Sequence, residues 1–164
     1  MAAMIERAEL HKTIWRIAND LRGSVDGWDF KSYVLGFLFY RFISEKLTDY
    51  MNVSEREGIL SEGGTPEEAA AFDYATLSDE EAESDRENIV REKGFFIRPS
   101  DLFANVRARA ASDEDLNETL ARVFRFIENS ARGGGSESDL RGLFDDVDVN
   151  SAKLGNTVAQ RNAK

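Results

Sequence analysis

The stretch Trp28–Tyr50, WDFKSYVLGFLFYRFISEKLTDY, decides the fold. Between Tyr33 and Ile43 only Gly36 and Arg41 interrupt the apolar residues, so a helix here is hydrophobic nearly all round, the pattern of a buried central helix. A β-strand is the competing reading, but the segment is too long for one and carries helix signals at both ends. Asp26 or Asp29 can cap the entrance, because a short carboxylate accepts from the free amides of a first turn. Past Ile43 the pattern narrows to Ile43, Leu47 and Tyr50, so the helix is expected to run from deep core to a half-exposed end. Trp28, Phe37, Phe39, Tyr40 and Phe42, at helical spacing, read as core rather than as a cofactor pocket.

This run is no membrane span. Spanning takes about 20 consecutive apolar residues, and Asp29, Lys31, Arg41, Glu45 and Lys46 crowd this shorter one. The opening MAAMIERAEL places charges where the apolar part of a signal peptide would lie, so the expectation is a soluble, cytoplasmic protein.

Working outward, Ile5, Leu10, Ile14, Trp15, Ile17, Ala18 and Leu21 repeat with the period of an amphipathic helix, closed by Gly23. Ser24 to Gly27 form a short connector, so this helix and the central one are expected to pack as a hairpin. Met51 to Gly64 reads as a loop with one turn of helix. Thr65, Pro66 and Glu68 spell a helix start, and Ser78 with Glu81 spells another, opening an acidic helix to about Glu92. Gly94–Arg98, GFFIR, is too short for a helix and reads as an extended piece, a candidate short strand. Ser100 or Asp101 can cap a helix over Leu102–Ala111 that buries Leu102, Phe103 and Val106 and presents Arg107 and Arg109. Leu116, Leu120, Val123, Phe124 and Ile127 place a further helix over residues 113 to 131, with Arg122 and Arg125 off its apolar stripe. Gly133, Gly134 and Gly135 end it, and Ser136 with Asp139 opens a short helix through Leu140, Leu143 and Phe144. Asn156 can cap a last helix from Thr157. The fold class is mainly α, a helical bundle around a buried central helix with one short extended segment.

Composition narrows the chemistry. At 164 residues the chain fits one domain with an adequate core. It has no cysteine and one histidine, His11, read as a surface or interface residue, so thiolate and multi-histidine metal sites are excluded within the chain. The net charge is −10, yet thirteen of the 31 acidic residues and only three of the 21 basic ones fall between Glu55 and Glu92, leaving the remainder neutral. That acidic segment reads as a solvated face, and the remainder can still present a local basic patch.

Active-site motifs fail. The triple glycine lacks the Lys and Ser or Thr that a P-loop needs directly after its last glycine, since Ser136, Glu137 and Ser138 follow, and it reads as a flexible linker. Asp146, Asp148 and Asn150 begin like a calcium loop, but Ser151 and Thr157 occupy the positions that need Gly and Glu. Nothing assembles a nucleophile with its base.

The runs ELHKTIWRIANDLRG (9 to 23) and WDFKSYVLGFLFYRFISEKL (28 to 47), followed by GFFIRPSDLF (94 to 103) and LFDDVDVNSAKLGNT (143 to 157), closely resemble the N-terminal region of the modification subunit of type I restriction-modification DNA methyltransferases. The resemblance runs from about Glu9 to Asn162. It implies a parent protein that methylates the exocyclic amine of adenine in duplex DNA with S-adenosylmethionine, alongside a specificity subunit and a restriction subunit. That chemistry needs a glycine-rich turn after a strand, and an Asn-Pro-Pro-aromatic motif for the flipped base. Only Pro66 and Pro99 are present, not adjacent, so the second motif is absent from this chain. The expectation is a helical N-terminal domain over residues 1–150, then a linker and the start of a helix over 151–164 leading to a catalytic domain outside the chain. By this resemblance the domain itself is inactive, and it helps to assemble the subunits and close them around DNA.

Arg22 and Arg41 lie in the best-matching runs, and with Arg107, Arg109, Arg122 and Arg125 they are the candidates for DNA or subunit contact. Arg41, inside an apolar helix, is expected to be buried and paired, since burying it alone is costly. The alternative is a protein-protein docking module without DNA contact, which would show an exposed apolar patch on the helix hairpin in place of a basic stripe.

Overall fold

Helix α1, Gly27–Ser61, is the long element on which the others are laid. The computed structural model describes residues 27–131, 137–140, 142, 144, 147 and 149. After α1 come α2 (Pro66–Ala71), a 3-10 turn (Tyr74–Thr76), α3 (Asp79–Glu83), α4 (Arg86–Lys93), a second 3-10 turn (Pro99–Asp101), α5 (Phe103–Arg109), α6 (Leu116–Ser130) and α7 (Glu137–Leu140). No strand occurs among the described residues, and the fold is mainly α. The first amphipathic segment, the triple glycine and the residues from Asn150 onward lie outside the described residues.

One face of α1 is buried: Tyr33, Gly36, Tyr40, Ile43, Leu47 and Met51 recur at intervals of three and four. Against it stands α6, whose stripe Leu120, Val123, Phe124 and Ile127 is buried as its period requires. Phe124 meets Phe37 and Tyr40 edge-on at 5.8 and 5.4 Å and stacks on Phe144 at 4.2 Å. Aromatic pairs at such distances contribute beyond the area they bury. Phe144, Val147 and Val149 thereby seat the chain's later part on the same face, and Val147 fills the space left by the missing side chain of Gly36.

The central helix departs from the sequence reading twice. It is not buried all round: Leu35, Arg41 and Phe42 are exposed, and of these Phe42 was expected in the core. It also runs ten residues beyond Met51, through the stretch read as a loop, to Ser61. Polar side chains hold this extension: Arg56 donates to the Phe72 carbonyl at 2.8 and 3.2 Å, and the Tyr74 amide donates to Asn52 Oδ1 at 2.7 Å. The helix stops where Gly63, at φ +90°, turns the chain so that the Gly64 amide reaches the Ile59 carbonyl at 2.9 Å.

Both capping boxes form, at Thr65 with Glu68 and at Ser78 with Glu81. The acidic helix expected after Ser78 is two helices, because the Ser84 hydroxyl donates to the Glu81 carbonyl at 2.7 Å and competes with the helical amide there. Gly94 closes α4 in the left-handed conformation at φ +84°, and residues 95–98, read as part of an extended piece, pair with no strand among the described residues. Instead the Ser130 hydroxyl accepts from the Phe96 amide at 2.8 Å, and the Tyr74 hydroxyl donates to the Ile97 carbonyl at 2.8 Å. The next helix starts at Phe103, whose amide is capped from afar by Ser44 Oγ at 3.1 Å, not by Ser100 or Asp101.

Asp101 is fully buried. Its carboxylate takes two hydrogen bonds from Arg122, at 3.0 and 3.3 Å, and its carbonyl accepts from the Tyr40 hydroxyl. Burial pushes the Tyr40 and Tyr74 phenols well above the ordinary tyrosine range, so both remain protonated donors. Removing Arg122 leaves a buried charge without its fork. Arg122→Ala is therefore expected to cost roughly 1–3 kcal/mol, against about 0.5 kcal/mol or less for Arg125→Ala one turn away, measured by urea unfolding. A β-carbon at Gly36 would lie 2.3 Å from Val147 Cγ2. Gly36→Ala is thus expected to destabilise by about 1–3 kcal/mol despite alanine's better helix propensity, and adding Val147→Ala, which removes the clashing methyl, restores part of the loss in the same assay.

Candidate functional site

The structure disperses the candidate arginines. Arg22 lies outside the described residues. Arg41 is exposed on the side of α1 away from the packed face, where its Nε donates to Glu45 at 2.7 Å, so the burial expected for it does not occur. Such an exposed pair adds little stability. Arg109 donates to the Ser100 carbonyl at 2.7 Å, and Arg122 holds Asp101; both tie the second 3-10 turn to its neighbouring helices. Arg125 is exposed and donates from Nε to the Ala121 carbonyl of its own helix at 3.2 Å. Arg107 is exposed on the last turn of α5, where its charge also complements the helix end. Arg122 and Arg125 border one open groove on α6, but Asp115 and Glu118 border it too. With Asp101 behind Arg122, that groove is not a basic stripe.

Two further arginines gather where no spacing in the sequence signals it. Arg98 and Arg86 lie over the Phe126 ring, at 4.0 and 5.3 Å from its centre, and share the Glu83 carboxylate at 3.7 and 2.7 Å. They pin α3 and α4 to α6. Glu67 of α2 and Glu80, Glu81, Glu87 and Glu92 of α3 and α4 are exposed, whereas Asp79 is half-buried and accepts from the Ser100 amide and hydroxyl at 2.9 and 2.6 Å.

What stands free is apolar. Leu35, Phe42, Val53 and Leu60 are 65, 54, 56 and 48% exposed. Their spacings of seven, eleven and seven residues are close to whole numbers of helical turns, so at about 100° per residue they fall within roughly 20° of one line along α1. Scattered exposed apolar residues are ordinary, but these four share one side of one helix. Lys46 lies on the same line, its ammonium 6.0 Å from the Phe42 ring centre. The sequence held this signal, hidden by ending the helix at Tyr50: Val53 and Leu60 join the line only once α1 is continued to Ser61.

No helix among the described residues is long and apolar enough to cross a membrane, and no cluster of three or more His, Cys, Asp or Glu among them is placed to hold a metal ion.

Comparison with known proteins gives these features a context. The family model described as the HsdM N-terminal domain matches residues 10–164. The type I restriction enzyme MpnII methylase subunit of Mycoplasma pneumoniae is 43% identical over 97% of this chain and 29% of its own length. The crystal structure of the type I restriction-modification system methyltransferase subunit from Streptococcus thermophilus superposes with a TM-score of 0.68 at 30% identity, covering 95% of this chain and 31% of that one. The chain thus spans about three-tenths of the length of these relatives. With its family model covering nearly all of it and its helices superposing on a solved relative, the chain belongs to the HsdM N-terminal domain family of type I restriction-modification methylase subunits.

Proposed function

We propose that this domain is an assembly element of a type I DNA methyltransferase, and that α1 carries the contact through its outward apolar line. The parent protein methylates adenine in duplex DNA with S-adenosylmethionine in the cytoplasm, alongside a specificity subunit and a restriction subunit. The chemistry lies in the part of the protein beyond this domain, which by itself is inactive. The observation that carries this reading is the contrast between two surfaces: of the described candidate arginines, Arg41, Arg109 and Arg122 are engaged within the domain, while Leu35, Phe42, Val53 and Leu60 face outward on one line. Apolar surface left in water favours a protein partner; phosphate contact calls for free cations.

Closure around DNA remains part of this account. Its direct contacts, where the domain makes them, fall to Arg107 and Arg125, which are exposed. In the full-length methylase, Val53→Asp with Leu60→Asp is expected to weaken binding to the specificity subunit at least tenfold by isothermal titration, with the helical circular dichroism unchanged. Arg107→Ala with Arg125→Ala would leave that affinity alone. The opposite pattern, intact assembly with the aspartates but a DNA-affinity salt slope lowered by about 2 with the alanines, would make phosphate contact the domain's role instead.

A further inference from the structure

The exposed line on α1 is symmetrical about its own centre. Leu35 and Leu60 stand equally far from the point midway between Leu47 and Thr48, and so do Phe42 and Val53. Between these apolar pairs lie two exposed charges, Lys46 and Asp49, placed evenly about that same point and opposite in sign. At about 100° per residue both fall within roughly 40° of the line, so the six residues form one seam about 38 Å long. Lys46 lies by its own Phe42 ring, and neither charge forms an ion pair among the described residues. The remaining pair at this spacing, Phe39 and Arg56, is half-buried and engaged within the domain by Phe144 and the Phe72 carbonyl.

We infer that a second copy of this chain pairs with the first through α1, the two helices running antiparallel about a two-fold axis between Leu47 and Thr48. From Leu35 the seam steps by seven, four, three, four and seven residues, the heptad spacing of a helix pair, and it reads the same in either direction. A two-fold contact has to be self-complementary, with residues at equal distances from the axis facing each other. Leu35 then meets the partner's Leu60, Phe42 meets the partner's Val53, and Lys46 meets the partner's Asp49, each twice over. Parallel pairing would instead set each charge against its own copy, and like charges face to face cost affinity. The inference rests on the reading of α1 as an assembly surface. It adds that the free methylase covers this surface with itself, so the specificity subunit takes the place of a second copy.

Sedimentation equilibrium of the full-length methylase, without specificity subunit or DNA, tests the pairing. Both charges are exposed, so replacing them spares the fold. One helix a side is a small contact, and the wild-type protein is expected to dimerise with a Kd on the order of 10 μM. Lys46→Glu and Asp49→Lys each set like charges against each other at both ends of the axis, and each should weaken the dimer at least fivefold. An equimolar mixture of the two variants regains both ion pairs in the mixed dimer and should return to within about twofold of the wild-type affinity. A wild-type monomer up to about 200 μM, far above that Kd, overturns the assignment. So do dimers indifferent to either reversal, or a mixture no tighter than its components. Tighter pairing of Lys46→Glu with wild type than of wild type with itself overturns it in favour of parallel helices. The assembly contact is read separately, by the titration of Val53→Asp with Leu60→Asp against the specificity subunit. Loss of that affinity in a methylase that never dimerises removes only the self-pairing, and an unchanged affinity in one that does dimerise removes only the assembly contact.

Discussion

Phe124 and Tyr40 fix the arrangement of this domain. Phe124, on α6, touches Phe37 and Tyr40 of α1 and stacks on Phe144, so one ring joins the long helix, α6 and the later chain. Tyr40 extends that join in the other direction, edge-on to Phe103 and hydrogen-bonded to the Asp101 carbonyl. Every further tie follows from it. Once Asp101 is held at α1, its carboxylate needs Arg122, the turn needs Arg109, and two of the domain's cations are committed to structure. Burying a carboxylate is costly unless it is paired and hydrogen-bonded, which explains why Arg122 is turned toward the domain although it is half-exposed.

Much of this was legible in the residues themselves. Period and capping chemistry located α6 and the starts of α2 and α3, because those signals are local and nothing elsewhere overrules them. Two of the misreadings share one cause, a long-range contact. Met51–Ser61 stays helical because Phe72 and Tyr74 return to it, and Gly94–Arg98 finds its hydrogen bonds in Ser130 and Tyr74 instead of a neighbouring strand. Arg41 was misplaced for a simpler reason: an apolar run says that a helix can be buried, not how many of its faces have cover.

The surface was less legible than the core. Arginines were singled out by type and by the runs they fall in, but charge alone does not distinguish a guanidinium that ties two helices from one that waits for phosphate. The structure separates them by partner. It also brings forward four apolar residues that no motif marks and that align only through the full length of α1. The assembly role proposed for this domain of the HsdM N-terminal family rests on that outward apolar line of a long helix.

Hydrogen–deuterium exchange on the full-length methylase, with and without its specificity subunit, tests this most directly. Backbone amides in the later half of α1, from Thr48 to Ser61, are predicted to slow on binding the subunit in the absence of DNA. If exchange there is unchanged, and protection arises only around α5 and α6 when DNA is added, the domain acts through nucleic acid and the account of α1 as the joining surface is wrong.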